Sequence, residues 1–274
     1  MIGQHQLLST IKNQVNNKTY PHFALFCGER GSEQMELCSE LSKLLHADMF
    51  LFSSSIEDIR ELIDTVYSNL ADIRLYVIVN ADAMSNNAKN ALLKIAEETP
   101  KNAYIVMLLD DINNTLDTIK SRAIVYTMES YSSKQLLCYC NQKKYTVPNE
   151  ILSICSTPGE LDIVTKYNMT EFTQFTRKVF ENIHHVQGAN AFKIEQKLNL
   201  SDDSTKYDLR LFWKLYIYLC YTYIDQTQYA EAIKITSYHL RQLRINGINK
   251  SMLTDMWILA IRECLLYNDL AYAT

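Results

Sequence analysis

The sequence predicts an α/β domain on a parallel sheet of about five strands, followed by an all-helical half. Two observations carry this. Short apolar runs alternate with helix-period patterns as far as about residue 130, and strand signals stop after Ser132. A third observation agrees: the first apolar run feeds a glycine-bearing loop, Gly28 to Gly31, and then a helix, the order in which α/β folds present a phosphate-binding turn.

His22 to Cys27 reads as the first strand, and a helix follows from about Ser32 to Leu45. Met49 to Phe52 is a short second strand. Ser54-x-x-Glu57 has the form of a capping box, and Ile56, Ile59, Ile63 and Val66 fall on one face of the helix it starts. Leu75 to Val79 is a continuous apolar run suited to a central strand. Ser85 to Glu98 reads as one helix, with Ala88, Ala91, Leu92 and Ile95 on one face and Thr99-Pro100 as its stop. Tyr104 to Leu109 and Ile124 to Thr127 complete the strands. A small helical segment with a break at Pro158-Gly159 comes next, and longer helices run to Thr274. The expected domains are therefore 1–130 (α/β), 131–168 (a small helical lid) and 169–274 (helical).

With 274 residues, 47% of them hydrophobic and 21% charged, the chain can bury a real core. A net charge of −4 argues against whole-molecule electrostatic binding of nucleic acid and leaves room only for a local basic patch. The seven cysteines form no CxxC pair; with no signal peptide in evidence they predict reduced thiols and a cytoplasmic location. His184-His185 and Cys138-Tyr-Cys140 lack a second ligand pair at zinc spacing, so no metal is expected. Leu209 to Ile224 is the one run resembling a membrane span, but Arg210 and Lys214 interrupt it and its aromatic residues recur at helical spacing, so it is expected as a buried helix.

The loop Gly28-Glu-Arg-Gly31-Ser-Glu33-Gln34-Met35 has the length of a Walker A loop without its chemistry. That motif needs a glycine, a lysine to neutralise phosphate and a hydroxyl for Mg²⁺ where this chain has Glu33, Gln34 and Met35. A carboxylate about 4 Å from a phosphate charge would repel it by roughly 4 kcal/mol at an effective dielectric near 20. No nucleotide or other cofactor is expected, and the turn is expected to need Gly28 and Gly31 at positive φ.

The segment Ala81-Asp-Ala-Met84-x-x-x-Ala88-x-Asn90-Ala-Leu-Leu-Lys94-x-x-Glu97-Glu98-x-Pro100 closely resembles the DEAD-x-M … A-x-N-A-L-L-K-x-L-E-E-P-P signature of clamp loader subunits, within the AAA+ superfamily. Ile2-Gly3-Gln4, Tyr20-Pro-His22 and Leu116-Asp-Thr-Ile-Lys-Ser121-Arg122-Ala123 match further family motifs in the same order. Thr157-Pro-Gly159-Glu-Leu161 resembles the lid's glycine motif, and Asn246-Gly-Ile-Asn249 the start of a collar helix. The likeness is specific over residues 1 to 130 and weak afterwards. It departs from many family members in having no four-cysteine zinc module between Leu45 and Ser53.

The resemblance implies an AAA+ domain, a lid and a C-terminal collar for oligomerisation. Aligned back from Met84, the family's metal-ligating Asp and catalytic Glu fall on Val79 and Asn80, so the second half of the ATP site is altered as well. Arg122 matches the family's arginine finger, which acts on a neighbour's ATP site. Arg60, Lys89 and Lys94 fall on helices that line the central chamber, where phosphate contacts hold primed DNA. The implied role is that of the stator subunit of a clamp loader, non-hydrolysing and partnered by gamma/tau-like ATPase and delta-like subunits, the sliding clamp and, through the complex, primed DNA, with no membrane partner. An active motor subunit of the gamma type and an interaction protein without a loader role stand as alternatives.

Overall fold

A computed structural model describes residues 2–68, 72–183, 188–200, 206–223, 227–243, 245 and 247–271. His184-His185, Asn246 and Ile224 lie outside the described residues. The chain forms two compact units. The first comprises Met1–Tyr139 with Thr157–Gly159, and the second Cys140–Ser156 with Glu160–Thr274.

In the first unit the strands are β1 (Phe23–Cys27), β2 (Asp48–Phe52), β3 (Arg74–Ile78), β4 (Ala103–Leu109) and β5 (Ile124–Thr127). They form one parallel sheet in the order β2-β3-β4-β1-β5. The helices are α1 (His5–Asn16), α2 (Gln34–Leu45), α3 (Ile56–Ser68), α4 (Asn86–Ala91), α5 (Leu93–Glu97) and α6 (Asp117–Lys120), and α7 (Ser133–Lys143) begins in this unit. Alternate strand residues feed two apolar cores, because side chains point to opposite faces with period 2. Phe23, Leu25, Ile105 and Met107 pack with Ile59, Leu62 and Val66 of α3 on one face; Ala24, Phe26, Val77 and Val106 pack with Ile11 of α1 and Leu37 and Leu41 of α2 on the other. A sheet covered on both faces explains why its central strands are continuous apolar runs.

Local chemistry shifts some expected boundaries. The N-terminal cap of α3 is Ser55, whose hydroxyl accepts the Asp58 N–H (3.1 Å), while the Asp58 carboxylate accepts the Ser53 N–H (2.9 Å). The capping box thus sits one residue later than Ser54 and Glu57. Bonding from Ser53, then Ser55, holds the Asp58 carboxyl below the usual carboxylate range. The expected helix Ser85 to Glu98 is capped by Ser85 Oγ on Ala88 N–H (3.2 Å), but it divides into α4 and α5 at Leu92, whose N–H turns to Lys89 O (3.2 Å) in the tighter i→i−3 pattern.

The second unit contains the end of α7, then α8 (Asn149–Ile154), α9 (Pro158–Val164, its first residues in the other unit), α10 (Met169–Asn182), α11 (Gly188–Lys197), α12 (Leu209–Tyr221), α13 (Thr227–Gln242) and α14 (Lys250–Ala271). It also carries a two-residue parallel pair, β6 (Leu198–Asn199) and β7 (Tyr207–Asp208), so strand structure does not end entirely at Ser132. The tyrosine-rich run becomes α12, opened by Asp208, whose carboxylate accepts Arg210 and Leu211 N–H (2.9 and 3.1 Å). Phe212, Trp213 and Tyr216 are fully buried against Trp257 of α14, the Tyr216 and Trp257 rings meeting edge to face at 5.0 Å. Trp257 Nε1 donates to Thr236 Oγ1 of α13 (3.0 Å). Among the described residues no helix is long and apolar enough to cross a membrane.

Trp257→Ala should lower stability by about 3–5 kcal/mol, read as a shift in urea midpoint by circular dichroism. Burial pushes the thiols of Cys38, Cys155 and Cys220 up to about 12, so at pH 8 they remain protonated and unreactive. Iodoacetamide followed by mass mapping should label exposed Cys138 first and those three only after denaturation.

Candidate functional site

Ligands of open α/β sheets bind at the carboxyl ends of the strands, where strand order reverses. Here that crevice lies at the ends of β1 and β4. The loop after β1 begins with Gly28 N–H on Leu109 O (3.0 Å). Gly28 is needed for close approach and not for positive φ: a Cβ there would stand 2.6 Å from Met128 Cβ and from Ser32 Oγ. Gly31 has φ +86°, and so does require glycine. Its Cα faces the Gly159 backbone, with Gly159 N–H on Gly31 O (2.9 Å) and Thr157 Oγ1 donating to Arg30 O (3.0 Å).

Glu33 occupies the left-handed region at φ +61°, ψ +31°, a conformation that favours the glycine expected of a phosphate loop. Its carboxylate stays within the protein: Oε2 accepts Ile2 N–H (2.9 Å) and lies 3.4 Å from the Tyr131 hydroxyl, which donates to Ser32 O (2.7 Å). Burial, with the Glu33 charge adding to it against the hydrogen bond from Gln4, pushes the Tyr131 hydroxyl up. Gln34, in the lysine position, turns its amide inward and donates to Leu109 O (2.8 Å) and Phe26 O (3.1 Å). Met35, in the hydroxyl position, packs on the apolar core.

The segment after β3 is similarly self-contained. Val79 packs on the same core, and Asn80 takes φ +52° to start a 3₁₀ turn at Ala81–Ala83. Asp82 accepts Asp110 N–H (2.6 Å), Asp111 N–H (3.1 Å) and Asn114 Nδ2 (2.9 Å), which ties this turn to the loop after β4. Lys89 is 7% exposed, and its ammonium donates to Asn114 O. It therefore braces the same loop from α4 and is not a solvated phosphate contact, contrary to the expectation from sequence. Arg60 on α3 and Lys94 on α5 are exposed. Among the described residues no group of three or more His, Cys, Asp or Glu side chains is placed to hold a metal.

Arg122 lies away from all of this. β1 and β5 are parallel neighbours with Ala24 opposite Ile124, so Arg122 is level with the entry to β1 and Gly28 with its exit. At about 3.3 Å per residue the two are roughly 15–20 Å apart. Its guanidinium is one-third exposed and bonded to Glu97: Nε donates to Oε1 (2.7 Å), while Nη1 donates to Thr118 O (2.8 Å) and Ser121 Oγ (3.2 Å). Sequence reasoning missed Tyr131, Glu97 and the bracing role of Asp82. Glu97 lay within a recognisable motif, but nothing in its spacing indicated a partner in another element.

The family described as DNA polymerase III, delta subunit, matches residues 46–132, which span β2 to β5. DNA polymerase III subunit delta prime of Bacillus subtilis is 25% identical over 209 residues, covering 71% of this chain and 64% of its own. Subunit delta prime of Buchnera aphidicola subsp. Baizongia pistaciae is 19% identical over 225 residues, covering 76% and 65%. The chain is thus similar, over the residues these matches cover, to subunits of DNA polymerase III. DNA polymerase III subunit gamma of Buchnera aphidicola subsp. Acyrthosiphon pisum matches it too, 24% identical over half of this chain. The chain spans between about half and two thirds of the length of these curated relatives, 46% of the gamma subunit and 64% of the Bacillus protein. In fold it is similar to a DNA polymerase III gamma subunit-related protein of Thermotoga maritima (TM-score 0.53, 14% identity, 94% of this chain and 99% of the other). RuvB of Thermotoga maritima is similar in fold over 77% of this chain and 74% of its own (TM-score 0.50, 14% identity).

Asp82→Ala removes hydrogen bonds to a charged acceptor and should cost about 2–3 kcal/mol of stability, measured by urea unfolding.

Proposed function

We propose that this chain is a delta prime-type stator of a DNA polymerase III clamp loader. It assembles with gamma/tau-like ATPase and delta-like subunits in the cytoplasm to place a sliding clamp on primed DNA, and does not itself hydrolyse ATP. The observation that carries this reading is Gln34: the side chain standing where a phosphate-binding lysine belongs is spent on the strand-end carbonyls of Phe26 and Leu109. Glu33 adds a carboxylate in the glycine position, and Val79 and Asn80 replace the carboxylates that Mg²⁺ and water activation need.

On this reading the contribution to catalysis is Arg122, acting on a neighbour. The opposite-edge placement supports it, because a residue at the amino end of β5 is far from the loop after β1 of its own chain. The domains proposed are 1–130 as the AAA+ part, 131–168 as the lid and 169–274 as the collar. Exposed Met252, Met256 and Leu259, at i, i+4 and i+7 on α14, offer the collar an apolar stripe for partner helices. Arg60 and Lys94 are the proposed phosphate contacts to DNA. The gamma-type relatives favour a second reading, an active ATPase subunit, and it predicts nucleotide binding by the isolated chain.

Isothermal titration of the isolated chain with Mg-ATP should show no binding, and saturable binding would favour the gamma-type reading. In a complex rebuilt with its ATPase subunits, Arg122→Ala should slow hydrolysis at the facing site by about 10³-fold, the low end for arginine fingers. An unchanged ATPase and clamp-loading rate would remove the finger assignment. Arg60→Glu with Lys94→Glu should weaken salt-sensitive binding of primed DNA by the whole complex.

A further inference from the structure

Arg122 is not extended into solvent. Two of its nitrogens, Nε and Nη2, donate to the same oxygen of Glu97, and the third is shared between Thr118 O and Ser121 Oγ. The ion pair joins the last residue of α5 to the residue two places before β5, so it links separate elements across 25 positions of sequence. Both side chains are accessible: that of Arg122 is 34% exposed and that of Glu97 51%.

We propose that Glu97 is a positioning residue that parks Arg122, holding it against this chain until a phosphate of the partner's nucleotide replaces the carboxylate. This rests on the finger reading of Arg122 and adds its regulation. Two physical points support it. A carboxylate in contact with a guanidinium cancels much of the charge the finger brings to a phosphate, so the productive state requires the pair to open. An accessible ion pair is weak enough to yield: pairs of this kind shift an equilibrium by about 2–5-fold, whereas a nucleoside triphosphate offers several negative charges and bidentate oxygens. The bonds to Thr118 and Ser121 come from Arg122's own turn and keep the guanidinium at the edge while it changes partners.

The test compares wild type, Glu97→Gln, Glu97→Ala and Arg122→Ala in the complex rebuilt with its ATPase subunits, clamp and primed DNA. ATPase rate is followed against ATP concentration at low and high salt. Parking predicts that both Glu97 variants lower the apparent KM for ATP about 2–5-fold with kcat kept, and that the difference shrinks at high salt as the wild-type pair is screened. Glu97→Gln combined with Arg122→Ala should behave as Arg122→Ala alone. A lower kcat in the Glu97 variants would mean that Glu97 orients the working finger, and an unchanged KM that it has no part; either overturns parking and leaves the finger in place. An Arg122→Ala complex as active as wild type would overturn both.

Discussion

The carboxyl edge of the sheet is organised around one set of bonds, those to the backbone carbonyls where β1 and β4 end, with Leu109 O accepting both Gly28 N–H and the Gln34 amide. In a nucleotide-binding relative of this architecture a ligand and a metal would share that edge with the protein. Here the Gln34 amide, reaching from the first turn of α2, donates to Phe26 O and Leu109 O. A neutral amide can do this because it carries two N–H donors and no charge to desolvate. A lysine there would bring a charge to a half-buried position. Once Gln34 is turned inward, Met35 can fill the core beneath it and Glu33 can swing toward Ile2 and Tyr131.

The same logic extends to the neighbouring loops. Asp82 and Lys89 are residue types that could bind metal or phosphate, and each is instead committed to backbone groups between Asp110 and Asn114. A carboxylate accepting two N–H groups and an ammonium placed on a carbonyl fix the loop after β4 from both sides. The edge therefore holds its shape through internal bonds. A parallel sheet then imposes a second constraint: the residue before β5 must emerge at the opposite edge, where these bonds do not reach.

How much of this was legible in the sequence depends on the range of the forces involved. The strands were readable because a sheet buried on both faces demands unbroken apolar runs, and Leu25, Val77 and Val106 write them. Caps were readable to within a residue, since Ser54 and Ser55 are chemically alike and only the path of the chain selects Ser55. The division at Leu92 was hidden because both halves keep the same apolar face. Lys89 looked solvated because nothing local signalled that Asn114 O would meet it. Gly28 was read as a φ requirement when its real constraint was Met128, a distant residue brought close by β5. The short pair of Leu198 with Tyr207 had too few residues to show a period.

Arg122 shows the limit of local reading in a different way. Its motif set the residue apart, yet whether a cation at a strand start is solvated, buried or paired depends on what the fold delivers beside it. The fold delivers Glu97, from the end of a helix packed two elements earlier. The other polar groups discussed here, Gln34, Asp82 and Lys89, are bonded chiefly to backbone atoms, which cannot leave without unfolding a loop. Arg122 is bound chiefly by a carboxylate on an accessible side chain, and such a bond exchanges without disturbing the sheet. The contrast separates polar groups that maintain the scaffold from one that remains able to change partners.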